Sequence, residues 1–348
     1  MADSQRTTGE LARAVEALLS ERTSGEVKVR DLQPLAGGAC QDNYRLELSF
    51  STGELQGDRR MALRSDARKS LPGSLLRKDE FQVIRAAVAA GVRTPAARWF
   101  TEGLVRPGAG AYFLDWAEGE AIGRRVVKHP ELQAARETLP EALAAELAKI
   151  HTVTRASAPD LDLDRGRPRP TGGGPAAAAL VFARAMADEM PEPHPAIELA
   201  LRWLTDHAPG GEEETLVHGD FRTGNFLVTP QGLSAVLDWE FARFGDPMED
   251  VGWLCVRDWR FGQLQLPAGG LARRERFYEA YARASGRAVD PGKVHWWEVM
   301  GNVRWGVGSV MQGERYLSGE EPDLELIAIA RRAVEMEYEA LRLIEKGA

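Results

Sequence analysis

Apolar positions first recur at helical spacing at Leu11, Val15, Leu18 and Leu19. They follow Thr7-x-x-Glu10, a pair able to cap a helix reciprocally. The period then shortens to that of strands: Val27–Val29, Tyr44–Leu48 and Met61–Arg64, with breaks at Gly37-Gly38 and a polar turn over 53–58. From Ser74 a helix is expected, with Leu76, Phe81, Ile84 and Val88 facing inward and Gly91 as its stop. Two short strands follow, at 97–101 and 111–114. Beyond Trp116 helical patterns dominate: 140–152, 176–190, 195–207, 271–285, 296–317 and 324–346. Residues 158–175, rich in Pro, Gly and Arg, read as an exposed loop. A strand-rich first third and a helical remainder predict an α+β chain with units at 1–116 and 117–348, joined near 114–119.

Composition narrows the classes. The chain has 348 residues, 44% apolar and 28% charged, as in ordinary globular proteins. Its formal charge of −8, from 44 basic and 52 acidic residues, leaves no footprint for nucleic acid. Two cysteines, Cys40 and Cys255, frame neither a disulfide scaffold nor a zinc site, so a reducing cytoplasm is expected. No apolar run approaches the roughly 20 residues of a membrane-spanning helix, and the N-terminus does not read as a signal peptide. A soluble chain with no membrane partner is the expectation. The sequence carries no signal for an oligomeric state.

One cluster carries chemistry. Residues 218–225 read His-Gly-Asp-Phe-Arg-Thr-Gly-Asn, and an apolar run ends at Asp238. The spacing from Asp220 to Asn225 is five (225 − 220), that of a kinase catalytic loop, and a metal-binding Asp follows such loops after a strand. Phosphoryl transfer needs a carboxylate to orient the acceptor hydroxyl, oxygen ligands for magnesium, and a cation for the transferring group. Asp220 is the candidate carboxylate, Asn225 and Asp238 the metal ligands, and Arg222 the cation. His218 is expected to brace the loop by hydrogen bonds. Phe226–Val228, the turn Pro230-Gln231-Gly232 and Leu233–Leu237 form a hairpin that would bring Asn225 and Asp238 close. The plainer alternative makes each residue a turn or cap, but a chance match of the whole run is hard to obtain.

These residues resemble the aminoglycoside phosphotransferase and choline kinase-like family. The resemblance is carried by His218-Gly-Asp-x-x-x-Gly-Asn225, Leu237-Asp238-Trp239-Glu240 and Gly245-Asp246-Pro247-x-x-Asp250. It implies a protein-kinase-like fold with a small β-rich N-lobe, one long helix in it, and a larger helical C-lobe. It also implies ATP, with GTP as the alternative, bound between lobes with Mg2+, and a small-molecule acceptor. Gly37 and Gly38 resemble the loop over the nucleotide phosphates, though the full glycine pattern is missing. Arg64 stands where kinases carry a Lys paired with a helix Glu, here Glu80, with Asp79 as the alternative. Arg is a departure, since its planar fork needs more room. Asp246 and Asp250 brace the metal loop or cap a helix beginning at Pro247.

For the acceptor, Glu240, Trp253, Asp258, Trp259, Trp297, Arg304 and Trp305 are candidates. Six of the nine tryptophans lie from Trp239 to Trp305, and they read either as an aromatic-lined pocket or as core. Carboxylates there would suit an amino alcohol or aminoglycoside; Arg257, Arg260 and Arg304 would suit an anion. A second reading is a kinase-shaped nucleotide-binding or regulatory protein without turnover. A protein acceptor is disfavoured because no Ala-Pro-Glu segment follows Asp238.

Overall fold

A computed structural model describes residues 6–35, 42–66, 70–164 and 172–347. Gly37, Gly38 and Cys40 lie outside the described residues. The chain divides into two compact units, one comprising 1–89, 93–117 and 239–241, the other 90–92, 118–238 and 242–348. The three residues after Asp238 thus join the first unit.

The first unit opens with α1 (Thr8–Thr23), where Thr7 and Glu10 form the reciprocal cap. β1 (Val27–Pro34), β2 (Asp42–Phe50) and β3 (Gly57–Ser65) precede α2 (Arg77–Ala89), followed by β4 (Ala97–Glu102) and β5 (Gly110–Asp115). The sheet is antiparallel in the order β1-β2-β3-β5-β4. Alternate residues Leu46, Leu48 and Phe50 of β2 are buried, with Met61, Leu63 and Phe113, against Leu11, Val15 and Leu19 of α1. Two-residue periodicity on the sheet and helical periodicity on α1 therefore meet in one core.

The face of α2 differs from expectation. Leu76 and Val88 are exposed, and the buried positions are Arg77, Glu80, Val83, Ile84 and Ala87. An ion pair occupies the end of the face that apolar counting assigned to Leu76.

The second unit contains α3 (Gly123–Lys128), α4 (Gln133–Ile150), α5 (Gly174–Asp188) and α6 (Pro195–Asp206). Next come β6 (Thr215–Val217), β7 (Phe226–Thr229), β8 (Gly232–Val236) and β9 (Arg243–Gly245). It ends with α7 (Pro247–Leu254), α8 (Arg274–Ser285), α9 (Pro291–Leu317), α10 (Leu324–Ala330) and α11 (Ala333–Lys346). α4 starts seven residues before the expected Pro140 (140 − 133), and Pro140 is itself buried inside the helix. α9 starts at Pro291, where the Asp290 carboxylate caps Gly292 and Lys293. The expected last helix is two, α10 and α11.

α9 packs against α6, α7, α10 and α11, and α4 against α8 and β8. α7 and α9 approach closely at Gly252: a Cβ there would sit 2.7 Å from that of Trp297. Among the described residues no helix is long and apolar enough to cross a membrane.

Candidate functional site

Two short antiparallel pairings hold the 218–225 segment. β6 pairs with β9 and delivers His218; β7 pairs with β8 and receives the chain after Asn225. Leu237 ties the ends together. Its N–H donates to the Asn225 carbonyl at 2.8 Å, and its own carbonyl lies 2.9 Å from His218 Nε2. Asn225 and Asp238 are therefore brought onto neighbouring backbone by the hairpin. Asp238 adopts φ 67°, a left-handed conformation uncommon outside glycine and its Asn and Asp substitutes.

The His218 tautomer follows from its partners. Nε2 must carry the proton it donates to the Leu237 carbonyl, so Nδ1 accepts the Asp220 N–H at 3.2 Å. The ring is neutral and fully buried. Burial lowers its pKa, against the pull of the carboxylates of Asp250, Asp220 and Asp238. This is the geometry of a brace.

The Asp220 carboxylate, 7% exposed, is surrounded by N–H donors. Oδ1 accepts from Trp253 Nε1 at 2.8 Å and Arg222 Nε at 3.1 Å; Oδ2 accepts from Asn225 Nδ2 at 2.5 Å. Asn225 Nδ2 also donates to the Asp220 carbonyl at 3.0 Å, so its two bonds to Asp220 both use the amide nitrogen. Arg222 lies with its guanidinium carbon 4.4 Å from the centre of the Trp259 ring. The structure thus brings Asp220, Arg222, Asn225 and His218 into one network, with Asp238 adjoining through Leu237. Among the described residues no three His, Cys, Asp or Glu side chains converge as a metal cage.

Asp250 locks the loop from α7. Its fully buried carboxylate accepts from His218 N at 2.7 Å and Gly219 N at 2.9 Å, and lies 3.2 Å from His151 Nε2. Burial alone would raise its pKa; the His151 bond and charge, with the His218 contacts, outweigh that and lower it. Asp246 caps α7 through Met248 N and pairs with Lys293 at 2.6 Å. Arg304 donates to the Gly219 carbonyl and to Glu249 at 3.1 Å, and stacks 4.0 Å from the centre of the Trp253 ring. Desolvation lowers its pKa, partly offset by Asp220 and Asp250.

The remaining acceptor candidates separate. Trp253, Val256, Trp259 and Met336 form a core cluster with Trp305 against it. Asp258 accepts from Trp305 Nε1 at 2.6 Å and pairs with Arg332. Trp297 is buried edge-on to Trp296 at 4.8 Å. Glu240 belongs to the first unit, 3.6 Å from Arg77.

In that unit Arg64 of β3 lies 3.3 Å from the fully buried Glu80. Tyr112, the cross-strand partner of Arg64 on β5, donates to Glu80 at 2.6 Å, and the buried Arg77 pairs with the same carboxylate. Burial opposes the charge on Arg77, but Glu80 raises its pKa overall; burial and Glu80 both push the Tyr112 phenol well up. Arg77 and Tyr112 were missed from sequence. Arg77 stands three residues before Glu80 on one helix, a spacing that brings side chains together and could have identified it.

The pattern of the phosphotransferase enzyme family (APH) matches residues 31–297. Mouse acyl-CoA dehydrogenase family member 10 is 26% identical over 253 residues, 71% of this chain but 22% of the relative. The chain spans less than a third of the length of the curated relatives it matches. A provisionally named aminoglycoside phosphotransferase of Ralstonia eutropha superposes with a TM-score of 0.71 at 19% identity, over 97% of this chain and 98% of the other. A thermostable mutant of an aminoglycoside phosphotransferase, solved with ADP and hygromycin B, gives 0.58 at 18% identity over 96% of this chain and 99% of the other. The fold is the α+β, protein-kinase-like fold of these enzymes.

Proposed function

We propose, from the premise that this chain belongs to the phosphotransferase enzyme family, that it moves the γ-phosphoryl group of ATP to a hydroxyl of a small molecule. The observation that carries the proposal is the Asp220 carboxylate, held by N–H donors beside the Asn225–Leu237 pairing that delivers Asp238. A carboxylate so held has a fixed direction, as required to orient a hydroxyl and take its proton.

The step balances simply. The acceptor O–H gives its proton to Asp220, its oxygen bonds to the γ-phosphorus, and the bond to the bridging oxygen breaks with its electron pair leaving on ADP. Asn225 Oδ1 and the Asp238 carboxylate would hold a magnesium ion, a cation that takes few protein oxygens and keeps phosphate and water as its other ligands. When bound, it neutralises phosphate oxygens. Arg222, already beside Asp220, would meet charge on the transferred group. In the first unit, Arg64 would contact the α- and β-phosphates, with Glu80 fixing its direction.

Dehydrogenase activity is not carried over from the names of the curated relatives, of which this chain matches only a fraction. The test is γ-labelled ATP with magnesium and a panel of aminoglycosides, amino alcohols, hydroxy acids and a metabolite extract. Asp220→Ala is expected to lose transfer by at least about 100-fold, the lower range for a general base, while keeping a nucleotide-induced thermal shift. Transfer undiminished in that variant would remove Asp220 from this role.

A further inference from the structure

We infer that Trp253 is a positioning residue for phosphoryl transfer: its indole N–H fixes the Asp220 carboxylate, and it does not serve as a wall for the acceptor. The inference rests on the role of Asp220 proposed above.

Each donor to Asp220 has a different standing. Arg222 is partly exposed, its side chain at 24%, and its other anchor is the face of Trp259. A polyphosphate would compete for this cation. Asn225 shares its amide between Asp220 and the proposed metal. Trp253 has no second duty. Its N–H is the only polar atom of its side chain, it points at Oδ1 from 2.8 Å, and the residue is 4% exposed. Among the three it is the donor that ligands leave undisturbed.

The ring is itself held. Arg304 stacks on it at 4.0 Å while donating to the carbonyl of Gly219, the residue preceding Asp220. Trp259 packs at 5.4 Å between ring centres. Trp253 also lies one turn after Asp250 on α7, so a single helix face grips the loop twice, by the backbone of 218 and 219 and by the side chain of 220. Fixing Oδ1 fixes the plane of the carboxylate and hence where Oδ2 meets a hydroxyl. Small misplacements of a reacting group are costly in rate.

Trp253→Phe keeps a ring for Arg304 and Trp259 and deletes the N–H. Turnover is read as phosphate released from ATP with magnesium, water serving as the hydroxyl. The expected result is a fall in kcat of about tenfold or more, the worth of one hydrogen bond to a charged group, with KM for ATP changed less than about twofold. A kcat within about twofold of the parent, with Asp220→Ala inactive, overturns the inference. A second measurement does not depend on that variant folding. The Trp253 indole N–H resonance is expected to lie downfield and exchange slowly in the parent, and to move in Asp220→Ala; an unmoved resonance also overturns it. Equal turnover in the parent and Asp220→Ala would instead sink the proposed role of Asp220, and the indole resonance separates that failure from this one.

Discussion

Replacing Asp250 by Asn tests how the 218–225 loop is held. The native carboxylate accepts three donors: His218 N at 2.7 Å, His151 Nε2 at 3.2 Å and Gly219 N at 2.9 Å. Asn keeps the shape but has one acceptor oxygen. If that oxygen stays with His218 and His151, the new NH2 faces the Gly219 N–H, donor against donor. An orphaned buried N–H costs about 1–3 kcal/mol, and the other two bonds fall from the charged to the neutral range. The sum is about 3–5 kcal/mol, matching the usual penalty for breaking a buried ion pair. At about 2–4 °C per kcal/mol for a domain of this size, the melting temperature should drop by roughly 10 °C. Urea unfolding and calorimetry at pH 7 measure it. The pH dependence gives a second check. The Asp250 pKa is lowered in the folded protein, so its stabilisation is present above the ordinary value of 3.8 and is lost as pH falls through the folded value. The gap between native and D250N should therefore close in acid. A loss below about 1 kcal/mol at neutral pH, or a gap that widens in acid, would refute this account of the loop.

His218 is buried neutral with a lowered pKa, so the unfolded chain takes up a proton below about 6.5 that the folded one refuses. Stability should fall with pH there, and His218→Gln should lessen the slope by at most about 1.4 kcal/mol per pH unit in urea titrations from pH 7 to 5. Arg77→Met should cost about 2–4 kcal/mol of unfolding free energy, below the full price of a broken buried pair because Arg64 and Tyr112 still face Glu80. The double variant Arg77→Met/Glu80→Leu should lose less than the sum of the single variants, as a double-mutant cycle would show. Burial pushes the Cys255 thiol up to about 12, so iodoacetamide at pH 8 should leave it unmodified in the native protein and label it after unfolding, read by peptide mass spectrometry.

What the sequence revealed was what lies close along the chain. The Thr7–Glu10 cap, the β7–β8 hairpin and the Asp246-Pro247 helix start each depend on residues a few positions apart, and each formed as expected. The loop residues also converge locally, because the hairpin folds Leu237 back onto Asn225. Pro140 misled for a physical reason. A proline inside a helix costs about 3 kcal/mol, so it reads as a boundary, yet buried Ala135, Leu139 and Leu143 carry α4 through it. On α2, hydrophobicity placed Leu76 inward, whereas the partners of Glu80 drew Arg77 there. Trp253 and Asp220 lie 33 residues apart, and no periodicity links an indole to a carboxylate at that distance.

The tryptophans show why core and site are a false choice here. Trp253, Trp259 and Trp305 pack as a core cluster, yet the first donates its N–H to Asp220, the second bears Arg222 on its face and the third donates to Asp258. An indole suits this position because it brings a large apolar body and one directional donor, so a single residue fills volume and aims a carboxylate. A Phe would fill the space without aiming. An Asn or Gln would aim, but would bury an extra acceptor needing its own partner. The precision of the 218–225 loop therefore originates in α7 and α9, whose close approach at Gly252 leaves Trp253 and Arg304 in contact above the Gly219–Asp220 backbone. Widening that helix contact would disturb the loop without touching any of its residues.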